Sequence, residues 1–197
     1  MGLHASFTLS DETLEKCVGI AKDGNVGCHI HVAEDLADRE DSLRRYNTTT
    51  VNRLHKLGAT GKKSIFVHCV HIDENEMDVL AKTDTIVVHN PESNMNNAVG
   101  VTPILKMFKM NVLVGLGTDG MGSDMLAQMR CAYLLHRLSN RDPRVAFMEA
   151  PQMLLQNNAE IAKRQFGLHL GEIAKGRPAD LAIIDYCPPT PLSESNF

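Results

Sequence analysis

Gly27-Cys28-His29-Ile30-His31-Val32-Ala33-Glu34 decides how this chain is read, because ionisable groups sit inside and just past a short apolar, β-branched run. Side chains alternate faces along a strand, so His29 and His31 share one face while Cys28, Ile30 and Val32 share the other. Glu34 lies an odd number of positions beyond His31 and would face away if the strand continued. It joins His31 only where the strand has ended and the chain is already curling into a loop. A histidine near a strand's C-terminal end, with a carboxylate just over its lip, is how an α/β barrel sets a metal ligand beside an acid/base. Taken alone, the run fits equally well a strand whose histidines are hydrogen-bonded core residues.

Working outward, Leu3 to Leu9 reads as a strand, and Ser10 caps a helix with Asp11 and Glu12 at its positive end. Leu14, Cys17, Val18 and Ala21 give that helix its apolar stripe, and Gly24 stops it. Beyond Glu34 come a charged helical stretch and a second one, Val51 to Leu57, with Thr50 as N-cap and Gly58 as terminator. Ser64 to Val70 is the next strand, and Asp73 with Glu76 three residues on resembles a capping box. Thr85 to Val88 is a strand, His89 to Val101 a loop long enough to be functional, and Thr102-Pro103 a helix start. Asn111 to Leu116 is a strand running into Gly117-Thr118-Asp119-Gly120, and Met125 to Leu138 is a long amphipathic helix. This succession of apolar strands and helices predicts a parallel sheet covered by helices.

The character then changes. Pro151 to Phe166 reads as helix, interrupted at Asn157-Asn158 and ended by Gly167. Leu170 to Ile173 and Gly176 to Asp185 look like short β segments of something else, and the tail Pro188-Pro189-Thr190-Pro191 reads as extended and poorly ordered. The expected division is residues 1–168 as barrel and 169–197 as a partial β-sandwich segment and tail.

At 197 residues, 43% apolar and 22% charged, the composition is that of a soluble globular domain. A net charge of −4 gives no electrostatic footprint for nucleic acid or anionic membrane. No run approaches a transmembrane length, and Met1-Gly2-Leu3-His4 lacks a signal peptide's basic start and apolar core, so the expected compartment is the cytoplasm. Five cysteines without a CxxC fit free thiols in a reducing compartment.

Polar groups recur at the C-terminal ends of successive expected strands: His31 with Glu34, His68, His89 with Asn90, and Asp119. Active sites of parallel α/β folds lie at that end. Imidazole and carboxylate are ordinary Zn²⁺ ligands, and a catalytic zinc needs about three protein ligands plus an open position. Each residue also has a plainer reading. Asp119 before Gly120 is good turn chemistry, His68 and His71 fit satisfied core histidines, and Cys69 fits a small buried hydrophobe.

His31-Val-Ala-Glu34, Val67-His68-Cys69-Val70-His71, Val88-His89-Asn90-Pro91-Glu92-Ser93-Asn94, Gly115-Leu-Gly117-Thr-Asp119-Gly120 and Gly176-Arg-Pro-Ala-Asp180-Leu181 together resemble the ordered motifs of the amidohydrolase superfamily. The branch is that of chlorohydrolases and aminohydrolases, such as methylthioadenosine/S-adenosylhomocysteine deaminase and guanine deaminase, with SsnA-like aminohydrolases as the nearest subgroup. The resemblance implies an α/β fold, a partial (β/α)8 TIM barrel holding strands 4–8 with their helices, and the start of a small β-sandwich. It implies hydrolytic deamination or dechlorination of a small nitrogen heterocycle by a water that one divalent metal activates, Zn²⁺ first, Fe²⁺ or Mn²⁺ as alternatives. His31 resembles the strand-5 metal ligand, Glu34 the proton shuttle, His68 the strand-6 catalytic histidine, and Asp119 the strand-8 ligand and base. His4, His89, Asn90 and Ser123 fall where relatives contact substrate.

Two departures stand out. The strand-1 HxH pair that provides the other two ligands is expected upstream of Met1, because the residues after His29-x-His31 fit strand 5 instead. Asn96-Asn97-Ala98 replaces the more usual Lys/Leu/Gly-rich segment of deaminases. The isolated chain is therefore expected to bind zinc poorly, to be inactive and to form a homo-oligomer through its open sheet edges. The alternative is a non-catalytic binding protein that keeps the fold.

Overall fold

Apolar, β-branched runs become five short strands: β1 (Gly2–Ala5), β2 (His29–Val32), β3 (Ile65–His68), β4 (Ile86–His89) and β5 (Val114–Leu116). They are seen in a computed structural model that describes residues 1–185, 187, 189–191 and 193–195. The strands lie in chain order, β1-β2-β3-β4-β5, and every neighbouring pair is parallel. Each connection is therefore a crossover through helix, the winding of successive βα units in a barrel. The helices are α1 (Asp11–Asp23), α2 (Leu36–Tyr46), α3 (Thr50–Lys56), α4 (Glu74–Lys82), α5 (Pro91–Asn96), α6 (Ile104–Lys109), α7 (Met125–Asn140), α8 (Glu149–Gln152) and α9 (Asn158–Phe166). A π turn, Met153–Asn157, joins the last two; it lies mostly before Asn157-Asn158, where the sequence predicts an interruption, and shares only Asn157 with it.

The two faces of the sheet differ. Ile30, Phe66, Val87 and Val114 stand in register across β2 to β5 and are buried with Leu14, Val18, Val51, Leu54, Met77, Leu80, Ile104 and Met107 of the helices. The other row, His31, Val67, Val88 and Gly115, faces away from that layer. Gly115 lets Ile161 of α9 and the Asn158 amide come close to the strand, since a Cβ there would overlap the ends of both side chains. The outer edge of β5 is closed by amides: Asn157 Nδ2 donates to Val114 O, while Asn158 accepts from Leu116 N and donates to Leu116 O. On the outer side of β1 no strand lies among the described residues.

One buried carboxylate ties three helices. Glu76, at the third position of α4, completes the expected capping box with Asp73. It also accepts from Val51 N at 2.9 Å, satisfying a first-turn donor of α3, and from Arg39 of α2 at 2.5 Å.

Several sequence expectations change. The first strand stops at Ala5 instead of Leu9, because the Thr8 hydroxyl folds back onto Ala5 O and competes with the ladder. Thr49, not Thr50, occupies the N-cap of α3, and Thr50 is buried inside the helix. The segment from His89 to Val101 holds the helix α5, which starts at Pro91 in the first helical position. Residues 170–173 and 176–185 form no strand among the described residues, and Ile173 and Ile183 are exposed. A β segment needs a neighbour to take up its backbone groups, and none runs beside these. Of the tail, Pro188 lies outside the described residues. No helix is long and apolar enough to cross a membrane among the described residues.

Removing Glu76 leaves two backbone donors, Val51 N and Asp73 N, without their partner and takes one of two carboxylates from the Arg39 guanidinium. Glu76→Ala is expected to lower unfolding stability by roughly 3 kcal/mol, read as a fall in the urea midpoint. An unchanged midpoint would refute the tie.

Candidate active site

The ends of β2, β3 and β5 share one device. Ala33, His68 and Asp119 have φ of 47°, 69° and 53°, in the left-handed region. Each turns the chain sharply at the rim of the sheet, where a plain strand would carry the next side chain to the wrong face. The Ala33 turn is clamped by the buried Asp38 carboxylate, which accepts from Ala33 N at 2.6 Å and from the Ser6 hydroxyl at 2.5 Å. Glu34 thereby swings back toward the histidine side of β2, as its odd spacing from His31 requires.

The result is a cluster of three. Donor atoms of Glu34, His68 and Asp119 lie within 4.8 Å of one another. His68 Nε2 is 3.6 Å from Glu34 Oε2 and 3.7 Å from Asp119 Oδ2, both beyond hydrogen-bond length. The His68 side chain is fully buried, and its Nε2 has no hydrogen-bond partner. A buried orphan nitrogen facing two carboxylates leaves room for a bound polar group that supplies its missing hydrogen bond.

Asp119 is held as an anion. The Ser93 hydroxyl donates to it at 2.6 Å and keeps its carboxyl below the usual range against desolvation, helped by Gly120 N and the nearby His68 and His31 rings. Glu34 Oε1 accepts from Asn97 Nδ2 at 3.1 Å.

His31 lies beside the cluster, its ring stacked on His68 with centroids 5.5 Å apart. Its Nδ1 is 2.6 Å from His4 O. A carbonyl only accepts, so Nδ1 carries a proton, and in the neutral ring this leaves the lone pair on Nε2, the form in which imidazole binds a metal. The His4 ring is edge-on to His31 at 5.9 Å and is itself tied to the Thr8 hydroxyl.

The other residues singled out by sequence fall elsewhere. His89 is fully buried beneath the cluster with both ring nitrogens engaged, by Thr102 and His136, so its ring offers no free atom to a substrate. Asn90 is buried too, its Oδ1 without a partner, and a Cβ on Gly117 would overlap it. Ser123 is exposed in the loop before α7 and makes no bond to the cluster. Sequence reading gave no site role to Ser93, Asn94, Asn97, Thr102 or His136, although the first four stand in stretches it singled out. The signal for the first two was Asn90-Pro91-Glu92, a helix start that sets Ser93 and Asn94 on its first turn.

Residues 1–197 match the amidohydrolase family along their whole length. The chain belongs to that family. This amidohydrolase chain is 37% identical to 5-methylthioadenosine/S-adenosylhomocysteine deaminase of Syntrophomonas wolfei, over 94% of its own length and 44% of that protein. It superposes on a zinc-bound adenosine deaminase from Xanthomonas campestris with a TM-score of 0.75 and 28% identity, covering 84% of this chain and 38% of the other. Atrazine chlorohydrolase from Arthrobacter aurescens, complexed with zinc, gives 0.72 and 26%, covering 86% and 38%. The chain thus spans less than half the length of these relatives.

Burial makes stability depend on pH. Desolvation pushes the His89 imidazole well below its ordinary 6.5 and His136 down to about 4. Unfolded histidines bind protons near 6.5, so between that pH and the folded values the unfolded state holds more protons and stability falls as pH falls. For His136 alone, the shift to about 4 corresponds to about 3 kcal/mol. Denaturant midpoints should drop from pH 7 to pH 5, and His136→Gln, which keeps a donor but does not titrate, should flatten that slope. Equal slopes in both chains would refute it.

Proposed function

We propose that residues 1–197 carry the proton-handling part of the active site of a metal-dependent aminohydrolase, which removes an amino group or a chlorine from a nitrogen heterocycle by hydrolysis. The observation that supports this best is the buried, unpartnered His68 Nε2 facing Glu34 and Asp119. The names of the relatives and structural neighbours, deaminases and a chlorohydrolase, point the same way.

In this reading His31, through Nε2, and Asp119 hold one divalent cation. Zn²⁺ suits the imidazole and carboxylate donors, and Fe²⁺ or Mn²⁺ would accept the same set. When bound, it supplies Lewis-acid polarisation and makes water acidic near neutral pH. Asp119, kept ionised by Ser93, takes a proton from the attacking water at Oδ2. The hydroxyl adds to the sp² carbon bearing the leaving group, while Glu34 delivers a proton from Oε2 to the adjacent ring nitrogen. The proton of the added hydroxyl then passes to the departing amino group. Ring carbonyl, ring N–H and ammonia result, or hydrogen chloride where chlorine leaves. His68 stands beside the reacting centre, its Nε2 placed to accept a hydrogen bond from the attacking water.

The family resemblance calls for two more ligands from a His-x-His pair, and His29-x-His31 on β2 is the one such pair in residues 1–197. We therefore infer that this polypeptide alone binds zinc weakly and releases no ammonia. The unpaired side of β1 supports self-association, and the five thiols, unbridged, suit the cytoplasm.

In full-length protein carrying these residues, assayed on aminopurines, pterins and chlorinated triazines, Glu34→Gln should lower kcat by roughly 10²–10⁴-fold with metal content unchanged. His31→Ala should lose metal and activity together. Loss of metal in folded Glu34→Gln, or near-full turnover, would overturn these roles, and binding without turnover in the unaltered protein would favour a non-catalytic binding protein.

A further inference from the structure

Beneath the cluster, His68, Asn94, Thr102, His89 and His136 form one connected hydrogen-bond circuit, each no more than 1% exposed. The direction of every bond follows from the backbone carbonyl of His68, which can only accept. Thr102 has a single hydroxyl proton and donates it to His68 O at 2.9 Å. Its Oγ1 must then accept from both other neighbours, Asn94 Nδ2 at 3.1 Å and His89 Nδ1 at 3.1 Å. His89 therefore carries its proton on Nδ1. Its Nε2 lone pair accepts from His136 Nε2 at 3.1 Å, so His136 is protonated on Nε2. Asn94, its amide nitrogen spent on Thr102, turns Oδ1 to His68 Nδ1 at 2.8 Å. A proton is required there, since two lone pairs at that distance would repel.

We propose that Asn94, Thr102, His89 and His136 are positioning residues that lock His68 with its proton on Nδ1, so that a bare Nε2 lone pair faces Glu34 and Asp119. A free histidine side chain favours the opposite tautomer, with the proton on Nε2. In that form the proton would face carboxylate oxygens at 3.6 and 3.7 Å, too far to bond, and the circuit would break at Asn94. His136 belongs to α7, so the docking of that helix onto the sheet sets the far end of the circuit. The Thr102 bond also pins the His68 carbonyl, whose residue sits at φ 69°. What the lone pair is used for rests on the function proposed above; the tautomer does not.

The test is long-range ¹H–¹⁵N correlation of ring nitrogens in the ¹⁵N-histidine-labelled chain at pH 7.5. Expected are single tautomers: Nδ1–H for His68 and His89, and Nε2–H for His136. Thr102→Val, close in shape but without the hydroxyl, should shift His68 toward Nε2–H or an exchanging mixture, and His136→Phe should do the same to His89. A His68 ring protonated on Nε2, or averaging between tautomers, in the unaltered chain overturns the proposal whether or not any variant folds. So does a folded Thr102→Val chain in which His68 keeps its single tautomer. Absence of deamination by the full-length protein would remove the functional reading and leave these signals as predicted.

Discussion

The site depends on holding backbone where L-residues rarely sit. Ala33, His68, Cys69 and Asp119 are all left-handed, and such residues cost on the order of 1–3 kcal/mol each unless their surroundings fix them. Here the fixing groups are specific. Asp38 takes the Ala33 N–H, and Ala33 O accepts from Val70 N and His71 N. Thr102 takes the His68 carbonyl, and Cys69 N donates to Val32 O. Asp119 folds its own carboxylate onto Gly120 N. Each turn lies at or just past a strand end, and together they bring the candidate side chains Glu34, His68 and Asp119 to the rim of the sheet.

Below the rim the charge pattern reverses. At the mouth, Asp119 is stabilised as an anion by a hydroxyl and a backbone N–H. One layer down, desolvation keeps His89 and His136 neutral, and a neutral imidazole pair is what permits a single-proton bond between their Nε2 atoms. A second charge there would put two protons on one line. The floor is therefore a set of fixed dipoles and the mouth a set of charges, an arrangement that orients without competing for protons.

One short helix serves both layers. Consecutive residues of α5 reach different strands: Ser93 bonds Asp119 after β5, and Asn94 bonds His68 at the end of β3. α5 is fastened to α7 by Glu92, whose carboxylate accepts from Gln128 and whose N–H donates to the same side chain. Asn97, just past the helix, touches Glu34. A segment that sequence reads as an extended functional loop thus acts as a rigid bracket, because proline at its first turn and packing on α7 favour helix.

The sequence by itself determined the alternation of strand and helix, the capping box at Asp73 and Glu76, the end of the sheet at which polar residues gather, and the candidates Glu34, His68 and Asp119. These follow from local periodicity and capping chemistry, and from the strand rule that the next side chain faces the other way. Only the tertiary structure decided which of those candidates meet. That depends on left-handed turns at Ala33, His68 and Asp119, none of them glycine, and such turns are held by tertiary partners: Asp38, itself fixed by Ser6 32 residues away, Thr102 before α6 and Ser93 on α5. The descent of His89 from apparent substrate contact to buried support had the same origin, since its neighbour His136 lies 47 residues away. The segments 170–173 and 176–185 show the converse limit: β-branched composition marks a strand, but a strand exists only where another backbone lies alongside to take its hydrogen bonds.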